Sequence, residues 1–243
     1  MGNSRLYSLD FLKFIAALMI TNSHFQPLYE DVSPSLATYG VHGNALFFFV
    51  SGFLLMMGFE RKKAHGFLNW YKGRMRRLWP AVFIWVVVSA VVWKQTLTIG
   101  NLLLFDGYWF LQAIAVAYIV FFVILKIGKG AMGIRYDIQI TALIPLHIFV
   151  YYLYKVASYS WCKKAFSSMI VGKIMSWIAA LTLEIYIVQF LFVTNQFNSL
   201  FPLNVLLVFA IIVLAAYLLK VMTSLFLAVL SKEDLEWKEI VRL

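Results

Sequence analysis

Long apolar runs broken by short charged clusters organise this chain. Leu6 to Phe25, LYSLDFLKFIAALMITNSHF, is the first of them. About twenty mostly apolar residues make about 30 Å of helix, enough to cross a bilayer. Gly43–Phe59, Leu78–Trp93, Tyr108–Ile127, Ile174–Thr194 and Leu203–Leu230 follow, each apolar enough to span. Between the third and fourth lies Lys94 to Gly107, whose TIGNLLLF is too short to span and reads as re-entrant or interfacial. The pattern predicts an all-α polytopic transmembrane helical bundle of about 6–8 spans with no soluble domain.

Composition agrees with the pattern. Hydrophobic residues are 63% of 243 and charged residues 13%, which excludes a soluble globular domain. The net charge of +10 reads as loops on the cytoplasmic side, and no nucleic-acid partner is expected. Arg61, Lys62, Lys63, Lys72, Arg74, Arg76 and Arg77 crowd the segment Glu60 to Arg77, fixing it as cytoplasmic. The N-terminus is then cytoplasmic too, and His24 lies toward the outer face. The first apolar segment is full length and charged, so it reads as a retained anchor instead of a cleaved leader. Cys162 is the single cysteine, which excludes an internal disulfide.

The charge rule fails in one place. Ile138 to Ala157 can span, yet a single crossing would put Lys155, Lys163, Lys164 and Lys173 outside. An even number of crossings brings them back inside, and that reading is preferred. The tail KEDLEWKEIVRL, residues 231–243 with its leading Ser231, is mixed in charge and reads as an interfacial helix beyond a transmembrane region 1–230.

The first span carries Asp10, Lys13 and His24. Ionisable groups inside a span are costly, so they are read as paired or functional. Lys13 and His24 are eleven residues apart, which puts them on nearly one helical face, roughly 16 Å apart along the axis. Asp10 lies one turn before Lys13 and can pair with it. His24 is either an interfacial histidine satisfied by water or a general base, since an ordinary imidazole titrates near neutrality. Imidazole is also a nucleophile, so a transient acyl-histidine is a second route.

Further motifs follow in order. They are Gly43-Asn44-x2-Phe47-Phe48-x2-Ser51-Gly52-Phe53, Arg74-x2-Arg77-Leu78-Trp79-Pro80, Trp109-Phe110-Leu111, and LTLEIYIVQ with Glu184, Tyr186 and Gln189. Together with Lys13-x10-His24, this order resembles the acyltransferase 3 family of membrane acyltransferases. The resemblance implies transfer of an acyl group, usually acetyl, from cytoplasmic acetyl-CoA to a hydroxyl of a cell-surface or lipid-linked glycan. It implies a bacterial cytoplasmic membrane, a glycan acceptor, and a separate envelope or glycan-assembly partner for any second step. No metal is expected.

Physical chemistry fits roles to these positions. Coenzyme A is polyanionic, and Arg74 and Arg77, at i and i+3, present two planar guanidiniums from one helical face, with Arg76 and Lys72 beside them. Plain cytoplasmic topology is the bland alternative for these cations. Trp109 reads as an interfacial belt residue or a sugar-stacking surface. Glu184, Tyr186 and Gln189 read as acceptor-groove residues, with a structural ion pair the alternative for Glu184. Ser51-Gly52 reads as a small pair that admits a neighbouring helix. His147 reads as a core histidine.

Two departures qualify the resemblance. Lys13 stands where the family pattern has arginine, which keeps the charge and loses the fork. Residues 126–173 are also compressed, as though two or three helices were missing. A second class of function therefore stands beside the enzyme: a non-catalytic carrier or scaffold in glycan assembly.

Overall fold

A computed structural model of the chain describes residues 7–61, 66–127 and 140–231. The side chains of residues 56, 59–61, 124–127 and 141–147, His147 among them, and the tail 232–243 lie outside the described set, as do Lys62, Lys63, Lys129 and Arg135. Among the described residues ten α-helices run in the order α1 (Tyr7–Ser23), α2 (Gly40–Arg61), α3 (Phe67–Trp93), α4 (Ile99–Leu103), α5 (Trp109–Ile127), α6 (Ile140–Ala157), α7 (Ser160–Phe166), α8 (Val171–Ala180), α9 (Thr182–Val188) and α10 (Leu203–Ser231). No strand occurs among the described residues. The fold is all-α, as the apolar pattern requires.

The described residues form two compact units, 7–51 with 140–215 and 52–127 with 216–231. In the first, α1 is the central helix and packs on α6, α7, α8 and α9. Leu9, Leu12, Ala16 and Ile20 are buried at helical spacing, with Ala17 beside them. Two glycines let α2 approach α1 closely. A Cβ on Gly43 would lie 2.8 Å from Ile20 Cγ1 and 3.0 Å from the Ile20 backbone nitrogen, and one on Gly40 would meet Ser23 Oγ at 2.5 Å. Small residues are how membrane helices reach such contact. The pair predicted for this role, Ser51-Gly52, does not fill it: a Cβ on Gly52 would meet only Phe121, at an ordinary 4.0 Å.

Helices α8 and α9 form a bent pair, turned by 64° at Leu181, whose geometry is that of a broken span or a re-entrant loop. Thr182 stabilises the break by donating its hydroxyl to the Ala179 carbonyl at 2.9 Å. Broken backbone within a span persists where protein covers it. Here Leu181, Ile185 and Val188 are all buried. At the start of α1, Tyr7 packs at a tilt and Phe11 edge-on against Phe166 of α7, and Phe11 also meets Trp161. At its other end, asparagines pin the segment 26–39. Asn22 donates to the Leu36 carbonyl at 2.8 Å and accepts from the Tyr29 hydroxyl at 2.7 Å. Asn198 and Asn204 donate to the carbonyls of Pro27 and Leu28.

In the second unit Leu55, Trp70 and Phe122 form a buried cluster joining α2, α3 and α5. The basic segment read as a loop is helical from Phe67, so Lys72, Arg74, Arg76 and Arg77 stand on the first turns of α3. The short segment after α3 turns back along it. Trp79 Nε1 donates to the Leu102 carbonyl at 2.9 Å. That carbonyl therefore sits about 21 Å back along α3 from its end at Trp93. Thr98 and Asn101 cap the short helix of TIGNLLLF reciprocally.

Among the described residues three stretches are long and apolar enough to cross a membrane, Pro34–Leu55, Phe67–Trp93 and Leu203–Ser231, and the bent α8–α9 pair, taken as one span, makes a fourth. The expected six to eight are not reached within the described residues. Helix α1, at 17 residues, is just short of span length, and Trp109–Val123 and Ile148–Ala157 are the described apolar parts of the 19-residue α5 and the 18-residue α6.

The glycine contacts yield a test. Replacing Gly43 by valine puts carbon against the Ile20 backbone, which cannot yield as a side-chain tip can, so a loss of about 1–3 kcal/mol is expected. Thermal unfolding in detergent checks it, with Gly52→Ala, where space is open, as the tolerated control.

Candidate functional site

Asp10 and Lys13, one turn apart on α1, form an ion pair at 3.3 Å between Lys13 Nζ and Asp10 Oδ1. Both are only partly exposed, at 14% and 27%, so each lowers the cost of the other's charge. The pair sits in the first half of α1 and His24 just past its end, so the two places on the stripe are about 16 Å apart. Lys13 therefore does not touch an atom on which His24 acts.

His24 is held by geometry on both sides. Its backbone N–H closes the last turn onto the Thr21 carbonyl at 3.1 Å, and its ring meets Phe190 edge-on at 4.7 Å between centroids. Phe190 in turn meets the Tyr186 ring at 5.9 Å. The structure thus brings the histidine of the first motif onto the segment of the last, LEIYIVQF. Among the described residues the imidazole nitrogens make no hydrogen bond, and the residue is partly exposed. It is positioned by aromatic packing while its nitrogens remain available for proton transfer.

Around it, α9 and the turn that follows bury polar groups. Glu184 is 2% exposed, Tyr186 is buried, and Gln189 is fully enclosed. Neither Oε1 nor Nε2 of Gln189 has a hydrogen-bond partner among the described residues. The same is true of Thr21 Oγ1, one turn before His24, and of Asn44 Oδ1 on α2. Enclosed amides and hydroxyls normally find partners, and leaving one unsatisfied costs about 1–3 kcal/mol. Natural chains carry such a cost chiefly where function requires it.

The cations of α3 belong to the second unit. Arg74 is partly buried, with its guanidinium carbon 5.3 Å from the Trp70 ring centre, and Trp70 is braced by Tyr118 and Phe122. Gly58 on α2 leaves room for that guanidinium, since a Cβ there would lie 3.1 Å from Arg74 Nη2. Arg77 and the Tyr118 phenol are within electrostatic reach of Arg74. Lys72, Arg76 and Arg77 are exposed. None of the four makes an ion pair among the described residues, which leaves an electropositive face suited to phosphate. Trp109, at the start of α5, is 58% exposed and meets the neighbouring Phe110 ring edge-on, as an interfacial or stacking side chain would. Among the described residues no His, Cys, Asp and Glu converge as a metal-holding group.

The residues missed at the sequence level are those that hold the functional ones. Phe190 follows the LEIYIVQ motif directly, and Trp70 precedes Arg74 by one turn, the spacing at which a ring can lie under a guanidinium. Both had a local signal. Thr21, Asn22 and Asn204 had none, because their roles depend on contacts between distant segments.

A family model described as an acyltransferase domain matches residues 6–143, more than half of the chain. The described fold is all-helical with apolar helices long enough to cross a membrane, and the match shows that the chain belongs to the acyltransferase 3 family. The match includes Asp10, Lys13, His24, the α3 cations and Trp109. Glu184, Tyr186 and Gln189 lie beyond it, and Tyr186 is joined to His24 through the Phe190 ring. Neither the curated proteins nor the solved structures compared with the chain match it.

Gln189 offers a test of whether the buried amide serves a ligand. Replacing it with methionine keeps the volume and removes an unsatisfied group, so thermal stability should rise by about 1–3 kcal/mol while acyl transfer falls. A variant that unfolds earlier shows instead that the amide has a structural partner.

Proposed function

We propose that the chain is an O-acyltransferase that moves acetyl from cytoplasmic acetyl-CoA to a hydroxyl of a cell-surface or lipid-linked glycan. The family membership supplies the reaction class. The observation that carries the site assignment is the packing of His24 on Phe190, itself in contact with Tyr186, which joins the family's first motif to its last along this chain.

In this reading the imidazole of His24 accepts the proton of the acceptor hydroxyl as its oxygen attacks the thioester carbonyl carbon. The C–S bond then breaks, the sulfur leaves as thiolate, and the imidazolium returns the proton to it. The Gln189 amide is the donor suited to the oxyanion of the tetrahedral intermediate, because a buried donor with no competing partner stabilises developing charge strongly. Arg74, with Arg77, Arg76 and Lys72, binds the phosphates of the donor. Arg74 is the anchor because Trp70 fixes its plane; the exposed three add attraction that salt screens. The Asp10–Lys13 pair is assigned to positioning α1. Glu184, Tyr186 and Trp109 are assigned to the acceptor. The chain works in the bacterial cytoplasmic membrane with its N-terminus in the cytoplasm.

The competing reading, a non-catalytic carrier or scaffold, draws on the compressed central region. The two differ in one experiment. Replacing His24 by alanine should abolish acetate on the surface glycan while the protein still inserts at its normal level, as read by mass spectrometry of the glycan and by membrane immunoblot. Unchanged acetylation would remove the catalytic role of His24.

A further inference from the structure

The segment from the end of α6 to the start of α8 is not used by the reaction, and its surface is unusual. Lys155 closes α6, Lys163 and Lys164 sit in the last turn of α7, and Lys173 opens α8; all four are exposed. Interleaved with them are exposed aromatic and apolar side chains. Tyr159 is 61% exposed, Trp161 52%, Met169 79% and Ile170 70%. Lys155 lies 5.6 Å over the Tyr151 ring.

Packing fixes which end of the unit this surface occupies. The inward face of α7, Cys162 and Phe166, is buried, and Phe166 meets Tyr7 and Phe11 in the first turns of α1. The turn into α8 is locked there by Gly172, where a Cβ would run into the Phe166 carbonyl oxygen. So α7 stands at the opposite end of α1 from His24 and from the segment 26–39 that Asn22 pins. The four lysines consequently share a membrane side with the start of α1. The conflict with the charge rule disappears without moving any lysine across the membrane.

From this placement we infer that the α6–α7–α8 turn is an interfacial shelf that binds anionic phospholipid head groups in the leaflet at the start of α1. The four lysines meet the lipid phosphates, and Trp161, Met169 and Ile170 enter the head-group and upper acyl region. Each part has a physical reason. Indole and phenol rings partition to the interface with their polar edges outward. A juxtamembrane lysine gains about 1 kcal/mol from an anionic leaflet, so four together select such lipids over neutral ones. Lysine stems lie along apolar surface while the ammonium reaches the phosphate level. The inward cysteine is inert, because burial pushes the Cys162 thiol up.

Two measurements on the full chain test the shelf. The first reads sidedness. In a Cys162→Ser background, single cysteines at Ser160 and at Ser35 should react with a membrane-impermeant maleimide from opposite sides of the membrane. Reaction of both from one side overturns the placement. The second reads lipid. After purification from vesicles of phosphatidylcholine and phosphatidylglycerol, native mass spectrometry should show phosphatidylglycerol retained by the wild type. Changing Lys155, Lys163, Lys164 and Lys173 to glutamine should lower that retention at least about tenfold, and changing them to arginine should preserve it. Equal retention in the glutamine variant overturns the proposal. So does a glutamine variant that keeps the lipid and loses acetyl-CoA binding, which would assign the lysines to the donor. Neither readout needs acyl transfer, so failure of the functional reading and failure of this one are distinguishable.

Discussion

The packing of α1 against the bent pair α8–α9 is the constraint on which the first unit depends. It rests on a stripe of buried small and apolar residues on α1, on a close approach by α2 at Gly40 and Gly43, and on a 64° bend at Leu181. The bend is what makes the arrangement chemical. A straight helix of that length would carry Glu184, Tyr186 and Gln189 past α1 on a regular face. Broken, it turns the LEIYIVQ segment onto the end of α1, where Phe190 meets His24. Around this contact the enclosed polar atoms of Gln189, Thr21 and Asn44 stand without hydrogen-bond partners among the described residues, which an apolar-cored bundle would not tolerate for packing alone.

The second unit solves a different problem, holding cations at the start of an apolar helix. Arg74 is fixed by a ring beneath it and a glycine beside it, whereas Lys72, Arg76 and Arg77 extend into solvent. One oriented guanidinium beside three exposed charges is the arrangement on which the proposed binding of the donor phosphates rests: orientation from the first, long-range attraction from the others. The turn after α3 is tied back to that helix by the Trp79 indole, while residues 94–99 before α4 are exposed.

Much of this was legible in the sequence. Apolar run length predicted the helical class, and the motif order identified the family that the match over residues 6–143 establishes, whereas the basic segment read as a loop is helical from Phe67. The Asp10–Lys13 pair followed from helical spacing alone. What was not legible depends on contacts between segments far apart in the chain. Ser51-Gly52 looked like the close-approach pair because small residues admit a neighbour, yet only three-dimensional packing shows that Gly40 and Gly43 meet one. The lysines of 155–173 looked misplaced because hydropathy assigns crossings one run at a time. The aromatic packing of α7 on the start of α1 places them, and that packing has no local signature.

The central claim is that this chain, with its compressed middle, turns over. The direct test is to reconstitute the purified protein in nanodiscs, supply acetyl-CoA labelled in the acetyl group together with glycan extracted from the membranes it came from, and follow label into the glycan. The account predicts labelled ester, released by mild base, with one coenzyme A thiol freed per acetyl transferred. No label above that of the His24→Ala protein, from a preparation that still binds acetyl-CoA, would contradict it and leave the chain a donor-binding remnant of its family.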